Sequence, residues 1–486
     1  MHRLRGATAT VMRRALHAGL VALALVGLLT TSGCGSAINR YVDLRRLRLL
    51  SRAERLYYRA EELAQEGKPA EALLAYRQAY QADPSYAPAL ARLAENYEAQ
   101  GRRRSAARLY EQYLRYVPED REARQALLDL YIDLGDVARA AALAGKLGVP
   151  VPPAEQSAPP AGFALRWESF LEDQAVSGLA ASEDTVFAAT QGGSLYALAA
   201  EDGSERWHFA AEGPIVSAPL YSSTGTQPLV IFGDQSGTVY ALSPADGREV
   251  WRFRADGPVF GTPAAAGDTV YFGSTDGNLY ALARTDGARL WTFAAGEPIH
   301  AGPLATGDTV YFGSLSHELV AVDARTGAER WRFAALAPVE STPTLANGRL
   351  YFGANDSRLY CLDPRNGDEL WHYSTGDSIY ATPTIGTDVL YLASASHDLY
   401  ALSADTGELQ WQYRGESFLT TAPALDGGRL YFVATADPHL YVLNAATGDL
   451  VARIDTGDWP SGSPLLLGRD LYLGEKDGSV LAYRLP

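Results

Sequence analysis

Seven of the eight tryptophans in this chain of 486 residues stand at one place in a repeated phrase, at Trp167, Trp207, Trp251, Trp291, Trp331, Trp371 and Trp411. Successive members lie 40, 44, 40, 40, 40 and 40 residues apart. A fixed period of this size marks a repeat architecture, in which each unit is one supersecondary element that buries its faces only against its neighbours.

The phrase is clearest around Asn278-Leu279-Tyr280-Ala281-Leu282, Asp286-Gly287-Ala288-Arg289-Leu290-Trp291-Thr292-Phe293, residues 298–303 and Thr309-Val310-Tyr311-Phe312-Gly313. Each piece is short, alternates apolar with polar positions, is rich in aromatic and β-branched residues and is bounded by Gly, Asp, Asn or Pro. Every unit therefore reads as four short antiparallel strands. Four strands per forty residues match a propeller blade.

The Leu-Tyr-Ala-Leu strand recurs near Leu195, Val239, Leu279, Leu319, Leu359, Leu399, Leu440 and Val480, so eight blades are expected. The last copy, 479–486, has no Trp strand after it, whereas Arg166-Trp167-Glu168-Ser169-Phe170 is a Trp strand with no Leu-Tyr strand before it. Pairing the two would close the ring and leave only short, protected edges. In the seventh blade Ala452 stands where Trp is expected, and the one unphased tryptophan, Trp459, is expected to fill the space that Ala452 leaves. The second blade carries four extra residues around 222–227 in its first hairpin.

Residues 51–149 hold a second repeat of different period. Gly67, Gly101 and Gly135 are 34 apart, as are Ala72, Ala106 and Ala140, and Pro84, Pro118 and Pro152. The phrase from Ala72 to Pro84 resembles the tetratricopeptide repeat, with small residues for close helix packing and a Pro that ends the second helix. Three such repeats are about the minimum for a stable stack, here with a leading helix within 34–50 as a cap. The resemblance implies protein binding along a concave helical face. Tyr97, Tyr110, Tyr113, Tyr116 and Tyr131 are expected to pack between helices. The fold class is thus α + β multidomain: an N-terminal α-solenoid, a Pro-rich linker over 150–163 and an all-β eight-bladed propeller over 164–486. Such a linker is a semi-rigid spacer and is expected to hold the propeller away from the helices.

Residues 1–33 read as a targeting segment. Arg3, Arg5, Arg13 and Arg14 precede an apolar stretch from about 15 to 29, followed by Thr30-Thr31-Ser32-Gly33-Cys34. This resembles a bacterial lipoprotein signal with Cys34 as the lipidated residue, although Thr31 stands where Leu is usual; a plain secretory signal or an uncleaved anchor are the alternatives. Multiple acyl chains would hold the protein on a membrane. In a Gram-negative host, Gly35 in place of a retention Asp implies the outer membrane, facing the periplasm. With only two cysteines a disulfide framework is excluded, and Cys361 is expected to be a small buried apolar residue.

Charge divides the regions. Residues 35–150 carry 19 basic and 16 acidic side chains, whereas 151–486 carry 19 and 41, a net of −22. A surface of that sign opposes nucleic-acid binding, which needs Lys and Arg against phosphates, and favours a basic partner. Arg40, Arg45, Arg46 and Arg48 lie close behind the anchor, where they would face lipid headgroups or solvent.

The Leu-Tyr-Ala-Leu and Thr-Gly-x-x-x-Trp phrases over 164–486 resemble the pyrroloquinoline-quinone-type propeller superfamily and, within it, the BamB lipoproteins of the outer-membrane β-barrel assembly machinery. The resemblance implies a non-enzymatic scaffold with envelope protein partners, among them a BamA-like assembly porin. The helical repeats depart from BamB, though the lipoprotein BamD of the same machinery is built from such repeats. Two rivals remain: a scaffold of another envelope or secretion complex, and a quinone dehydrogenase. The dehydrogenases of the superfamily often carry vicinal cysteines and a Cys-x-x-Cys-His motif, neither of which occurs here, so no cofactor and no metal are expected.

Chemistry in a propeller needs residues that depart from the repeat at the channel mouth. Aligned on Pro219, Pro263, Pro303, Pro343, Pro383 and Pro423 of the first strands, the repeats show one widely varying column three residues earlier: Val176, Val216, Phe260, His300, Glu340, Tyr380, Thr420 and Ser461. It is expected to begin the innermost strand. The second hairpin turns contain Gly192-Gly193, Gly237, Gly277 and Gly478 in blades 1 to 3 and 8, but become Ser316-His317-Glu318, Asp356-Ser357-Arg358, Ser396-His397-Asp398 and Asp437-Pro438-His439 in blades 4 to 7. These departures assign a partner-binding sector to His300, His317, Glu340, Tyr380, His397 and His439. Polar turns without a partner are the competing explanation.

Overall fold

The computed structural model describes residues 50–149, 163–171, 175–223 and 227–486. The signal segment, Cys34, the basic cluster 40–48 and the body of the Pro-rich linker lie outside these residues. The chain divides into two compact units, one of residues 1–93 with 115–118, the other of 94–114 with 119–486.

Six helices occur among the described residues: α1 (Arg52–Gln65), α2 (Pro69–Ala82), α3 (Ala87–Ala99), α4 (Arg103–Tyr116), α5 (Arg121–Asp133) and α6 (Val137–Leu147). They form three hairpins whose turns repeat one device. Gly67, Gly101 and Gly135 have φ of 74°, 73° and 71°, a left-handed conformation that disfavours side chains, and the following amide closes back on the preceding helix (Lys68 N to Leu63 O, Arg102 N to Tyr97 O, Asp136 N to Tyr131 O). In the first unit α1 begins with a capping box between Ser51 and Glu54 and packs on α2 through fully buried Ala60 and Ala79. Tyr76 donates from its hydroxyl to Glu61 at 2.6 Å, above this alanine seam. In the second unit Asp120 and Asp136 cap α5 and α6. Tyr110 and Tyr131 are buried between helices as expected, but Tyr116 is half exposed.

Eight four-stranded antiparallel sheets follow, seven of them in simple sequence order. The eighth combines Pro460–Leu467, Asp470–Glu475 and Ser479–Arg484 with Ala164–Phe170 on its outer side, in the register Trp167 to Ala482 and Phe170 to Ser479. The predicted closure is therefore realised. The extra residues of blade 2 fall between Leu220–Ser222 and Leu229–Gly233. Apolar side chains on both faces of the two middle strands bury between blades; in blade 4 Val310, Phe312, Val320 and Val322 meet Tyr271, Leu279 and Ala281 of blade 3. Cys361 lies in one such layer, and burial raises its thiol to about 12, so it stays a neutral thiol.

Each phased tryptophan reaches across to the next blade. Trp291 covers Gly327, and the same pairing joins Trp167 to Gly203 and Trp411 to Gly448. Each indole N–H also donates to a carbonyl at that turn, as Trp291 does to Ala324 at 3.0 Å and Trp251 to Arg284 at 2.7 Å. The glycines adopt φ near 70°, and a Cβ at Gly327 would stand 2.6 Å from Trp291 Cε3, so only Gly fits under the ring.

Ala452 follows from the same rule. A Trp there would need the corresponding turn in blade 8, but the outer strand of blade 8 is Ala164–Phe170, so no hairpin joins it to Ser479–Arg484. The expectation that Trp459 fills this space is overturned. Phe163 and Leu485 pack beside Ala452, and Trp459 lies instead between the Arg102 guanidinium and the Lys476 ammonium, 5.4 and 5.7 Å from its ring.

Candidate partner-binding face

The loop entering each blade and that blade's second hairpin turn share one face of the ring, held together by a repeated backbone bond. Leu315 N donates to Pro298 O, Asn355 N to Pro338 O, Thr435 N to Phe418 O and Lys476 N to Trp459 O, all at 2.9 Å. The variable column and the altered turns therefore lie on a common surface. The column residues precede the short inner strands rather than begin them: His300 comes four residues before the strand Leu304–Thr306. Only in blades 1 and 8 does the strand reach back to the column, with Val176 and Ser461.

Three neighbours in the column meet across blades. The Phe260 ring packs edge-on against His300 with centroids 5.2 Å apart, and His300 Nδ1 lies 2.9 Å from Glu340 Oε1. The other oxygen of Glu340 accepts from Asn355 Nδ2 at 2.5 Å. Tyr380, next in the column, is 42% exposed.

At the turns, His317, Ser357 and His397 have φ of 67°, 67° and 73° where blades 1 to 3 and 8 use glycine, and in the one-residue-longer turn of blade 7 the positive φ, 57°, falls on Ala436. Holding a side-chain residue there costs on the order of 1 kcal/mol. His317 is exposed, whereas the His397 ring stands edge-on to Phe418 at 4.5 Å. His439 Nδ1 lies 2.5 Å from Asp437 Oδ1 and 3.2 Å from Arg453 Nη2. Burial opposes ionisation of Asp437, yet hydrogen bonds from His439 and Tyr441 outweigh it and hold the carboxyl below its usual range. The six proposed residues thus form a His300–Glu340 pair and four separate positions, and no group of three or more His, Cys, Asp or Glu among the described residues could hold a metal.

The largest electrostatic feature of this face was not among the predicted residues. Within the second unit, the start of α4 lies on the entry loop and turn of blade 8. Arg102, 4% exposed, donates to fully buried Asp458 at 2.8 Å, and Ser105 donates to the other oxygen of that carboxylate at 2.5 Å. Arg104 pairs with buried Glu475 at 3.3 Å, and its amide donates to Gly457 O at 2.9 Å. Arg108 bridges Asp477 and Glu168 while its guanidinium covers the Phe170 ring at 3.8 Å, and Arg103 reaches Asp455 at 2.5 Å. This overturns the expectation that the linker keeps the propeller clear of every repeat helix. Burial raises the Asp458 carboxyl, with Asp477 adding to it and Arg102 opposing; burial raises Glu475 further, against Arg104. The signal available in sequence was the run Arg102-Arg103-Arg104 together with Glu475, at a turn position where blades 3 to 7 carry Ser274, Ser314, Ala354, Ser394 and Ala434.

The model of the family described as outer membrane protein assembly factor BamB matches residues 160–230, 221–301 and 275–485. The chain belongs to the BamB family. The match spans the propeller and none of the six helices. Among solved structures, BamB from Moraxella catarrhalis is similar with a TM-score of 0.59 and 23% identity, over 67% of this chain and 98% of that one. The computationally designed Ika8 protein gives 0.59 at 16% identity, over 66% of this chain and 99% of that one. Sqt1 of Saccharomyces cerevisiae gives 0.59 at 14%, with the same coverage. At such identities the likeness concerns fold alone. No curated protein matches the chain.

Proposed function

We propose that this BamB-family chain is a non-enzymatic scaffold of the cell envelope, anchored through a lipid on Cys34 to the outer membrane on its periplasmic side and acting in outer-membrane β-barrel assembly. The family match over 160–485 carries the reading. The remaining boundaries are part of the proposal: a signal over 1–33, an anchor and leading helix over 34–50, tetratricopeptide-like repeats over 51–149 and a linker over 150–163. Two features support a binding role over catalysis. All seven phased tryptophans are engaged in interblade packing, and the departures from the repeat gather on one face instead of converging on a single reactive point. That face, with His300, His317, Glu340, Tyr380, His397 and His439, is the surface for a BamA-like porin.

In-cell crosslinking of the lipidated protein, followed by mass spectrometry of the attached chains, tests this. Recovery of the assembly porin through its periplasmic domains supports the reading, whereas recovery of a different envelope complex without that porin removes the assembly role. Alanine at His317 and His397 together should weaken capture with folding intact; unaltered capture would take both residues out of the sector.

A further inference from the structure

The eighth blade shows what kind of surface this face accepts. Its entry loop places Trp459 by the backbone bond from Lys476, and the Arg102 guanidinium, just before α4, lies 5.4 Å over that ring while Asp455, Glu475 and Asp477 take Arg103, Arg104 and Arg108 of α4. The seventh blade repeats the construction. Phe418 holds the position of Trp459 by the equivalent bond from Thr435, seven residues beyond Trp411 as Trp459 is seven beyond Ala452. No helix of the described residues covers it, and Phe418 is 49% exposed.

Carboxylates flank it again: Glu416, 66% exposed and 3.7 Å from Arg453, on the same loop, and exposed Asp377 on the loop before. Leu336, also 66% exposed, and Tyr380 extend the apolar ground around blades 5 and 6. This ground is continuous with the covered part of the face. Pro438 of blade 7 lies beside Gly101, the residue before the arginine row, where an added Cβ would come within 3.7 Å.

We propose that the rim of blades 5 to 7 receives, from a partner protein, a helix bearing a row of arginine or lysine side chains, in the manner in which α4 sits on blade 8. The cations would lie over Phe418 and Tyr380 and pair with Glu416, Asp377 and Glu340, while an apolar side chain of the same helix would cover Leu336. Cation–π contact and ion pairing at a partly desolvated rim supply attraction, and the −22 charge of 151–486 steers a basic segment toward it. This deepens the proposed partner-binding role and rests on it only for the identity of the partner.

The probe is a fluorescent peptide of residues 101–116, titrated by anisotropy into the full chain, where blade 8 is already occupied. Saturable binding is expected, weakened by high salt and by about tenfold or more in Phe418→Asp and in Glu416→Lys, and absent for a peptide with its arginines replaced by glutamate. No binding would overturn the proposal. So would binding indifferent to Phe418→Asp and Glu416→Lys but lost in Asp477→Lys, because the peptide would then be displacing α4 from blade 8. Capture of the assembly porin in cells with no peptide binding would sink the helix inference and leave the scaffold reading in place; peptide binding without the porin would do the reverse.

Discussion

Replacing Arg102 with Met should release the start of α4 from blade 8, by an amount that depends on pH in a calculable way. Methionine keeps much of the length and apolar stem but leaves Asp458 without its cation, at a site where the pair is 4% and 0% exposed. Breaking one side of a buried pair typically costs about 3–5 kcal/mol. Asp458 has an escape, since it can take a proton and remain bonded to Ser105 and to the Trp459 amide. Protonating a carboxyl with an unfolded value near 3.9 costs about 1.4 kcal/mol per pH unit above it, which caps the penalty at about 4 kcal/mol at pH 7 and about 1.5 kcal/mol at pH 5. The amide of Arg104, bonded to Gly457 O, reports the opening by hydrogen exchange. Its protection should fall by about 10³-fold at pH 7 and about 10-fold at pH 5, after correction for intrinsic exchange. Equal losses at both pH values, or none, would show that the ion pair does not hold this contact.

In the unaltered chain the same carboxyls set a pH trend. Burial raises Asp458 and Glu475 in the folded state, so their stabilising contribution is complete below the ordinary carboxylate range and declines as pH rises through their raised values. Arg104 amide protection should therefore be greater at pH 5.5 than at pH 8, and Asp458→Asn should flatten the trend. Gly327→Val places a branched side chain under Trp291 at φ 73° and should destabilise by roughly 2–5 kcal/mol in urea unfolding, from backbone strain and overpacking together. Ala452→Trp, which restores the repeat residue, should destabilise by about 1–3 kcal/mol, because Phe163 and Leu485 already occupy the space and no Gly turn lies beneath; a gain in midpoint would refute the account of blade 7.

What the sequence disclosed and what it hid follow one physical division. Period 40 with a Trp over a Gly turn is a nearest-neighbour rule, so the blades, their number and even the closure between residues 164 and 484 could be read by aligning the chain with itself. The rim column was legible for the same reason, though its place four residues before the inner strand was not, because those strands are only two or three residues long in blades 2 to 7 and their ends are set by the sheet. The contact of Arg102 with Asp458 joins residues 356 apart from two different repeats. No periodicity relates them, and a run of three arginines at a helix start reads alone as a solvated face. Yet three departures in blades 7 and 8 have counterparts elsewhere in the chain: Ala452 has Phe163, Trp459 has Arg102, and Glu475 has Arg104. These three departures mark places where a blade meets something other than another blade. Phe418, Leu336 and Tyr380 depart as plainly and remain exposed, which is why the proposed basic helix is placed over them and not over His300, already engaged with Glu340 across blades.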